Sequence, residues 1–127
     1  MGLAFLIGRI IVGIYFLMSA YGHIFKSGHM VGYAASKKVP APKLAIIFSG
    51  YMLLLGGLSI LLGVLVPWGL ALLIIFMVVV SFKMHDYWKE TDPMARMNQR
   101  IAFMKNVAII GLLLMTYAVA VPWPYAF

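Results

Sequence analysis

The sequence predicts an all-α integral membrane protein, a four-helix bundle with the N and C termini outside and two charged cytoplasmic loops. Of its 127 residues, 65% are hydrophobic and 10% are charged, whereas an ordinary soluble domain is about 45–50% apolar and about 25% charged. A water-soluble fold of this size has too few charges to cover so much apolar surface. The chain has no cysteine, which excludes a disulfide scaffold, a thiolate metal site and a thiol nucleophile within it.

Four stretches are long and apolar enough to cross a bilayer, whose core of roughly 30 Å needs about 20 residues of helix. The predicted spans are residues 3–23, 44–66, 68–84 and 101–120 of a single domain over residues 1–127. Between the second and third spans, Val66-Pro67-Trp68 predicts a tight hairpin. The first span lacks a basic segment before it and is interrupted by Arg9, so we expect a retained span and not a signal peptide.

The basic residues predict the orientation of the spans. Eight of the ten lie in the two segments that join spans one to two and three to four: Lys26, Lys37, Lys38, Lys43, Lys83, Lys89, Arg96 and Arg100. By the positive-inside rule both segments are cytoplasmic, so both termini face outward. The net charge of +7 is therefore a topology signal and not a nucleic-acid footprint.

Each charged segment also has a helix signal of its own. Residues 30–38 predict a short interfacial helix, which the prolines of Val39-Pro40-Ala41-Pro42 terminate. Asp92-Pro93 predicts an N-cap followed by proline at the first helical position. We therefore expect the fourth helix to begin near residue 93 and to run through Ala120.

Arg9 is an ionisable residue inside the first span, with no acidic residue near its depth. Such residues are costly in a membrane and point to function by default. One interpretation is structural: the side chain snorkels to outer lipid phosphates or hydrogen-bonds to Ser59, Thr116 or Tyr117. The other is that Arg9 holds the carbonyl or the anionic head of a bound quinone or lipid-like ligand.

Small residues predict how the first two spans pack. The face of span one that carries Arg9 is expected to point at other helices and consists of Arg9, Gly13, Phe16, Ala20 and His23. The matching face of span two is expected to consist of Ser49, Leu53, Gly56, Ile60 and Gly63.

Polar residues cluster at the cytoplasmic ends of the spans. His23 closes span one, His85 and Asp86 close span three, and Lys105 and Asn106 open span four. We expect Asp86 and Lys105 to pair, since pairing neutralises both near a low-dielectric boundary; the competing interpretation is proton handling or ligand binding. The candidate ligand-binding residues are therefore Arg9, His23, His85, Asp86, Lys105 and Asn106, and no catalytic residue is assigned.

Metal and haem chemistry are weaker interpretations of the same residues. His23 and His85 end their spans on the same side, as two axial haem ligands would require, and methionine is a soft-metal ligand. Interfacial histidines and core methionines explain both patterns more simply, so we predict no metal site. The sequence has no Walker, Rossmann, HExxH or GxSxG motif.

These landmarks resemble those of the DoxX family of small four-helix membrane proteins. The resemblance rests on Gly8-Arg9, the loop from Gly32-Tyr33-Ala34-Ala35-Ser36-Lys37 to Val39-Pro40-Ala41-Pro42, Gly50 with Gly56-Gly57, His85-Asp86-Tyr87-Trp88, Asp92-Pro93, Phe103-Met104-Lys105-Asn106 and Gly111. The chain departs from the family pattern at two positions. Leu53 stands where a glutamate is common, and His23 stands where a lysine is common.

The resemblance implies a membrane-embedded subunit associated with an oxidoreductase system in a bacterial or archaeal inner membrane. Related DoxD proteins are the quinone-facing part of thiosulfate:quinone oxidoreductase, so a quinone is the expected ligand, and no intrinsic cofactor is expected. Because Leu53 removes the acidic partner of Arg9, the alternative is a non-catalytic structural or assembly subunit of a larger membrane complex. The expected partners are the lipid bilayer and other membrane chains or a second copy. A transporter ranks last, because repeats and broken spans are missing.

Overall fold

A computed structural model describes residues 2–127 and confirms the all-α membrane fold. The elements in chain order are α1 (Gly2–Phe25), α2 (Gly28–Ser36), α3 (Pro42–Leu62), α4 (Val66–Met84), a 3-10 turn (Tyr87–Lys89) and α5 (Pro93–Tyr117). Four of these helices, α1, α3, α4 and α5, are long and apolar enough to cross a membrane. The chain is therefore a multi-pass membrane protein.

The local signals for α2 and α5 correspond to helices of the structure. Helix α2 lies where the short interfacial helix was predicted. At the start of α5, Asp92 accepts a hydrogen bond from the backbone N–H of Ala95 at 2.9 Å, and Pro93 is the first helical residue. A carboxylate at this position satisfies one of the N–H groups that the helix itself leaves free.

Several helix bounds differ from the predicted ones by a few residues, including those of α2, which spans 28–36 instead of 30–38. One of these differences has a clear structural cause. The turn between the second and third spans lies at Gly63–Leu65, before the predicted hairpin, with φ of 72° at Gly63 and 51° at Leu65. Glycine adopts this left-handed conformation readily just after a helix, and the turn places Pro67 inside the first turn of α4, where no N–H donor is needed. The last helix ends at Tyr117 instead of Ala120.

The membrane helices pack in chain order, α1 on α3, α3 on α4 and α4 on α5, while α2 packs on α3. The predicted buried face of α1 is correct at Arg9, Gly13, Phe16 and Ala20. On α3 the predicted seam is wrong at Gly56. A Cβ added there would lie 2.5 Å from Leu73 of α4, whereas one added at Gly57 would lie 3.3 Å from the Gly13 carbonyl of α1. Consecutive residues point about 100° apart on a helix, so the two glycines serve different neighbours.

The bundle has two unlike ends. The charged end carries α2, residues 37–41 and the segment from His85 to Asp92. The tail end carries the Gly63–Leu65 turn and residues 118–127, which fold back so that the Phe127 N–H donates to the Leu62 carbonyl at 2.9 Å. Because an even number of crossings separates them, the N-terminus and the C-terminal segment lie at the same end.

Candidate ligand-binding site

Arg9 lies at the tail end, where its guanidinium binds main-chain carbonyls. Its Nε donates to the Ile60 carbonyl at 3.2 Å, and Nη2 donates to those of Leu61 at 3.1 Å and Tyr125 at 3.4 Å. Nη1 donates to the carbonyl of Pro124. The partners are thus not the side chains of Ser59, Thr116 or Tyr117 that the sequence suggested. With 3% of its surface exposed, Arg9 joins α1, the end of α3 and the tail.

Arg9 supplies hydrogen-bond donors to carbonyls at the end of α3 that have no partner within the helix. The last carbonyls of a helix have no partner within the helix, and an unsatisfied carbonyl in the bilayer costs several kcal/mol. At the end of α3, Arg9 supplies donors to Ile60 and Leu61, the Phe127 N–H supplies one to Leu62, and the N–H of Gly63 supplies one to Ser59. All four terminal carbonyls are satisfied.

A cavity with a volume of about 610 Å³ lies toward the charged end of the bundle. All five helices contribute to its wall. The lining is mostly apolar, and the ionisable, amide and hydroxyl residues within it are Tyr15, Ser19, His23, His29, Tyr33, Ser49, Lys83, His85, Lys105 and Asn106. Four of the six predicted ligand-binding residues, His23, His85, Lys105 and Asn106, meet at this cavity. Arg9 and Asp86 do not line it.

One ring nitrogen of His23 forms a hydrogen bond within its own helix. His23 Nδ1 lies 2.8 Å from the carbonyl oxygen of Ser19. Because a carbonyl only accepts, Nδ1 carries the hydrogen, and the neutral ring is left with Nε2 as an acceptor. The ring also packs edge-on against Phe76 with centroids 5.6 Å apart.

His85 is held by a chain of three hydrogen bonds that its flanking sequence did not reveal. Tyr33 donates its hydroxyl to the Met84 carbonyl at 2.8 Å, and Gln99 Nε2 donates to the Tyr33 oxygen at 2.5 Å. Gln99 Oε1 then lies 2.7 Å from His85 Nδ1. Burial raises the pKa of Tyr33 above its ordinary value, so its hydroxyl stays protonated.

Gln99 and Tyr33 are functional candidates that the residue-level reasoning missed. Tyr33 was noted only as part of a loop pattern. For Gln99 a signal was present, since Gln99 and Asn106 are seven residues apart and therefore lie on one face of α5. Both are amides on a helix whose other polar side chains near its start are exposed.

The predicted ion pair between Asp86 and Lys105 is wrong. Asp86 pairs with Lys37, whose Nζ lies 2.5 Å from Oδ1, and the Nζ of Lys89 lies 3.8 Å from Oδ2. The physical reason is the position of α2, which lies over the end of α4 and brings Lys37 to Asp86. Lys105 lies three turns into α5, with its side chain exposed and at the cavity. The hydrogen bond to Asp86 raises the pKa of Lys37.

Asn106 places an amide group in the wall of the cavity. The residue is 5% exposed and lines the cavity, and the side-chain hydrogen bonds within residues 2–127 include none to its amide. The amide atoms are not among the fully buried polar atoms without a partner, so they reach the open space of the cavity. Buried amides are normally satisfied. An amide that faces a cavity without a protein partner offers both a donor and an acceptor to a ligand.

Residues 2–127 contain no group of three or more His, Cys, Asp or Glu side chains that could hold a metal ion. The chemistry that the cavity offers is instead hydrogen bonding within an apolar enclosure. Its polar groups are three imidazoles, the amide of Asn106, the ammonium groups of two lysines, and the hydroxyls of two tyrosines and two serines.

Fold and cavity together define a four-span membrane protein with a mostly apolar pocket inside the bundle. The family model for DoxX matches residues 4–86, and the chain belongs to the DoxX family. The match covers Gly8-Arg9, the proline loop and the glycines of α3, but it ends before α5, where the Lys105-Asn106 motif lies. Comparisons with curated proteins and with solved structures find no significant match.

Proposed function

We propose that this DoxX-family chain is the quinone-binding membrane subunit of an oxidoreductase system, and that the 610 Å³ cavity is the quinone site. A ligand site is typically a concave, largely apolar enclosure with a few polar groups that fix orientation. A quinone has that composition, because an apolar ring and tail carry two carbonyl oxygens. Since the chain has no thiol, its redox equivalents come from the bound quinone and a partner chain.

The observation that carries this proposal is the unpartnered amide of Asn106 in the cavity wall. A quinone carbonyl accepts a hydrogen bond, and the Asn106 Nδ2 can donate one. Lys105, which also lines the cavity, supplies a cation beside the same carbonyl. If both charged segments are cytoplasmic, as the positive-inside rule indicates, this site opens toward the cytoplasmic face of a bacterial or archaeal inner membrane.

The test is quinone binding by the purified full chain in lipid nanodiscs. Organic extraction and mass spectrometry should find bound quinone, and Asn106→Leu should weaken binding of an added short-chain quinone by about five- to tenfold, the effect of one lost hydrogen bond. Asn98→Leu is the matched control, because Asn98 is exposed on the same helix and does not line the cavity. Absence of quinone binding, or equal binding by Asn106→Leu and wild type, would refute the proposal.

A second candidate function is supported by α5. Only 11% of its most apolar window is buried, against 33% for α4, and a groove of about 410 Å³ separates its outer part from α1. These features suit an assembly subunit on which another transmembrane helix packs. Mild detergent extraction would then recover the chain in a larger complex, and a solitary monomer would argue against this function.

A further inference from the structure

We propose that the cavity binds the reduced, dihydroxy form of its ligand more tightly than the oxidised, dicarbonyl form. This inference rests on the proposed function, because it concerns the same site. It follows from the hydrogen positions on two of the three histidine rings in the wall, those of His23 and His85. The step is binding alone, and no covalent bond forms or breaks.

The position of the proton on His85 follows from a chain of hydrogen bonds that starts at the Met84 carbonyl. The main-chain carbonyl of Met84 only accepts, so the Tyr33 hydroxyl must donate its hydrogen there. The Tyr33 oxygen then accepts from Gln99, which requires the amide nitrogen of Gln99 on that side. The amide oxygen therefore faces His85 Nδ1, and Nδ1 must carry the hydrogen.

The same reasoning applies to His23 with fewer steps. Its Nδ1 faces the Ser19 carbonyl at 2.8 Å, which again requires a hydrogen on Nδ1. In the neutral ring the lone pair is on Nε2. Both histidines line the cavity, and the Nε2 of neither forms a hydrogen bond with a residue of the described chain, 2–127.

Two neutral rings with this tautomer offer two acceptors and no donor through Nε2. A quinol donates through two hydroxyl groups and can satisfy them, whereas a quinone has only acceptor oxygens and leaves them unpaired. A site whose polar groups remain unpaired discriminates strongly against the wrong ligand. Asn106 does not oppose this preference, because an amide can accept from a hydroxyl or donate to a carbonyl.

Gln99 is a positioning residue in this scheme. It touches His85 and holds its tautomer, while it does not line the cavity. Replacing Gln99 with leucine frees Nδ1 and allows the proton to move to Nε2, where it would favour a carbonyl ligand. Helix α5 is also joined to α4 by the contact of Phe82 with Phe103, whose ring centroids lie 5.3 Å apart, so the fold does not depend on Gln99 alone.

The experiment compares duroquinol with duroquinone on the full chain in nanodiscs, without oxygen and at about pH 8. Affinities are corrected for partition into empty nanodiscs. We expect the quinol to bind at least about fivefold tighter in wild type, and His23→Phe to reduce that ratio by about fivefold. Tyr21→Phe is the control on α1, since Tyr21 is exposed and lies outside the cavity lining.

A second measurement keeps the inference testable if a variant is unstable. Nitrogen-15 NMR of histidine-labelled protein should show His23 and His85 with the hydrogen on Nδ1, and Gln99→Leu should change the signal of His85 alone, while the exposed neighbour variant Asn98→Leu should not. Equal affinity for both ligand forms, tighter binding of duroquinone, or hydrogen on Nε2 in wild type would overturn the inference and leave the quinone site standing. Failure of both ligands to bind would overturn the inference and the proposed function together.

Discussion

The two ends of the bundle differ in whether their buried polar side chains have hydrogen-bond partners within the protein. At the tail end, Arg9 gives four hydrogen bonds to main-chain carbonyls of α3 and the C-terminal segment. At the charged end, the amide of buried Asn106 has no partner among the described residues, and each of two histidines is bound through only one ring nitrogen. Both regions contain buried polar groups in an apolar setting. Apart from the N–H of Trp123 at the tail end, the unused hydrogen-bonding capacity lies at the charged end.

This contrast teaches how to separate structural from ligand-binding polar groups in a membrane bundle. Position in the bilayer made Arg9 the most conspicuous candidate, because a buried cation is costly. Its contacts show a side chain occupied in closing a helix end. The less conspicuous Asn106 has the property that a ligand group requires, a donor and an acceptor at the cavity wall that no side-chain hydrogen bond of the described residues occupies.

Among the substitutions that remove hydrogen bonds or ion pairs, the largest expected effect is that of removing Arg9. Arg9→Met deprives the carbonyls of Ile60, Leu61, Pro124 and Tyr125 of their donor, so we expect a loss of about 3 kcal/mol in the free energy of unfolding. Arg9→Lys should recover only part of this loss, since an ammonium cannot reproduce the planar set of guanidinium donors. Thermal unfolding in nanodiscs measures both variants.

The same Arg9 variants test whether the two ends are independent. Where Arg9→Met remains folded, we expect its quinone affinity to equal that of wild type within about twofold, because sites without shared partners act additively. A selective loss of quinone binding with unchanged stability would mean that Arg9 contacts the ligand, and the comparison between the two ends would fail.

Helix content and local caps were predictable because they depend on residues close in sequence. Hydropathy gave four spans, a short helix was expected before the prolines around residue 40, and Asp92 caps α5. The meeting of His23 and His85 at one cavity was also foreseeable, since both end their spans on the same side of the membrane. Each of these inferences uses only the period of a helix and the thickness of a bilayer.

The partners of the polar groups were not predictable, because they depend on how separate elements fold together. Asp86 was assigned to Lys105 on depth alone, and the path of α2 over α4 gave it Lys37 instead. Arg9 binds carbonyls, which every residue carries and which therefore leave no mark in the sequence. The neighbouring glycines 56 and 57 face different helices, a difference that depends on a single step of helical rotation.

A smaller effect is expected at the ion pair that fastens α2 to the charged end. Lys37→Met removes the partner of Asp86, whose side chain is 6% exposed, and should cost about 1 kcal/mol at neutral pH. Lys43→Met is the control, because Lys43 is exposed and forms no ion pair with the described residues. If Lys37→Met and Lys43→Met have the same free energy of unfolding, the ion pair of Lys37 does not stabilise the position of α2.

The ion pair also predicts how this difference changes with pH. The hydrogen bond to Asp86 raises the pKa of Lys37, so the stabilisation is fully present below the unfolded-state value of about 10.4 and is lost as pH rises through the higher folded-state value. The stability curves of wild type and Lys37→Met should therefore stay parallel from neutral pH to about pH 10 and converge above it. Convergence between neutral pH and about pH 9 would contradict this assignment.

The smallest expected effect concerns Trp123, the one group at the tail end that does not fit the contrast. Its indole is 2% exposed and packs on Phe5 at 5.0 Å and beneath Arg9 at 5.5 Å, yet its Nε1 has no hydrogen-bond partner within residues 2–127. Trp123→Phe keeps an aromatic ring for both contacts and removes an uncompensated N–H, so the two effects nearly cancel and the cost should stay below about 1 kcal/mol. Trp123→Ala, which removes the ring, should cost about 3–5 kcal/mol. If thermal unfolding shows that the phenylalanine variant loses as much as the alanine variant, the N–H contributes a bond of its own to a lipid or a partner chain, and the tail end too would have a group directed outside the fold.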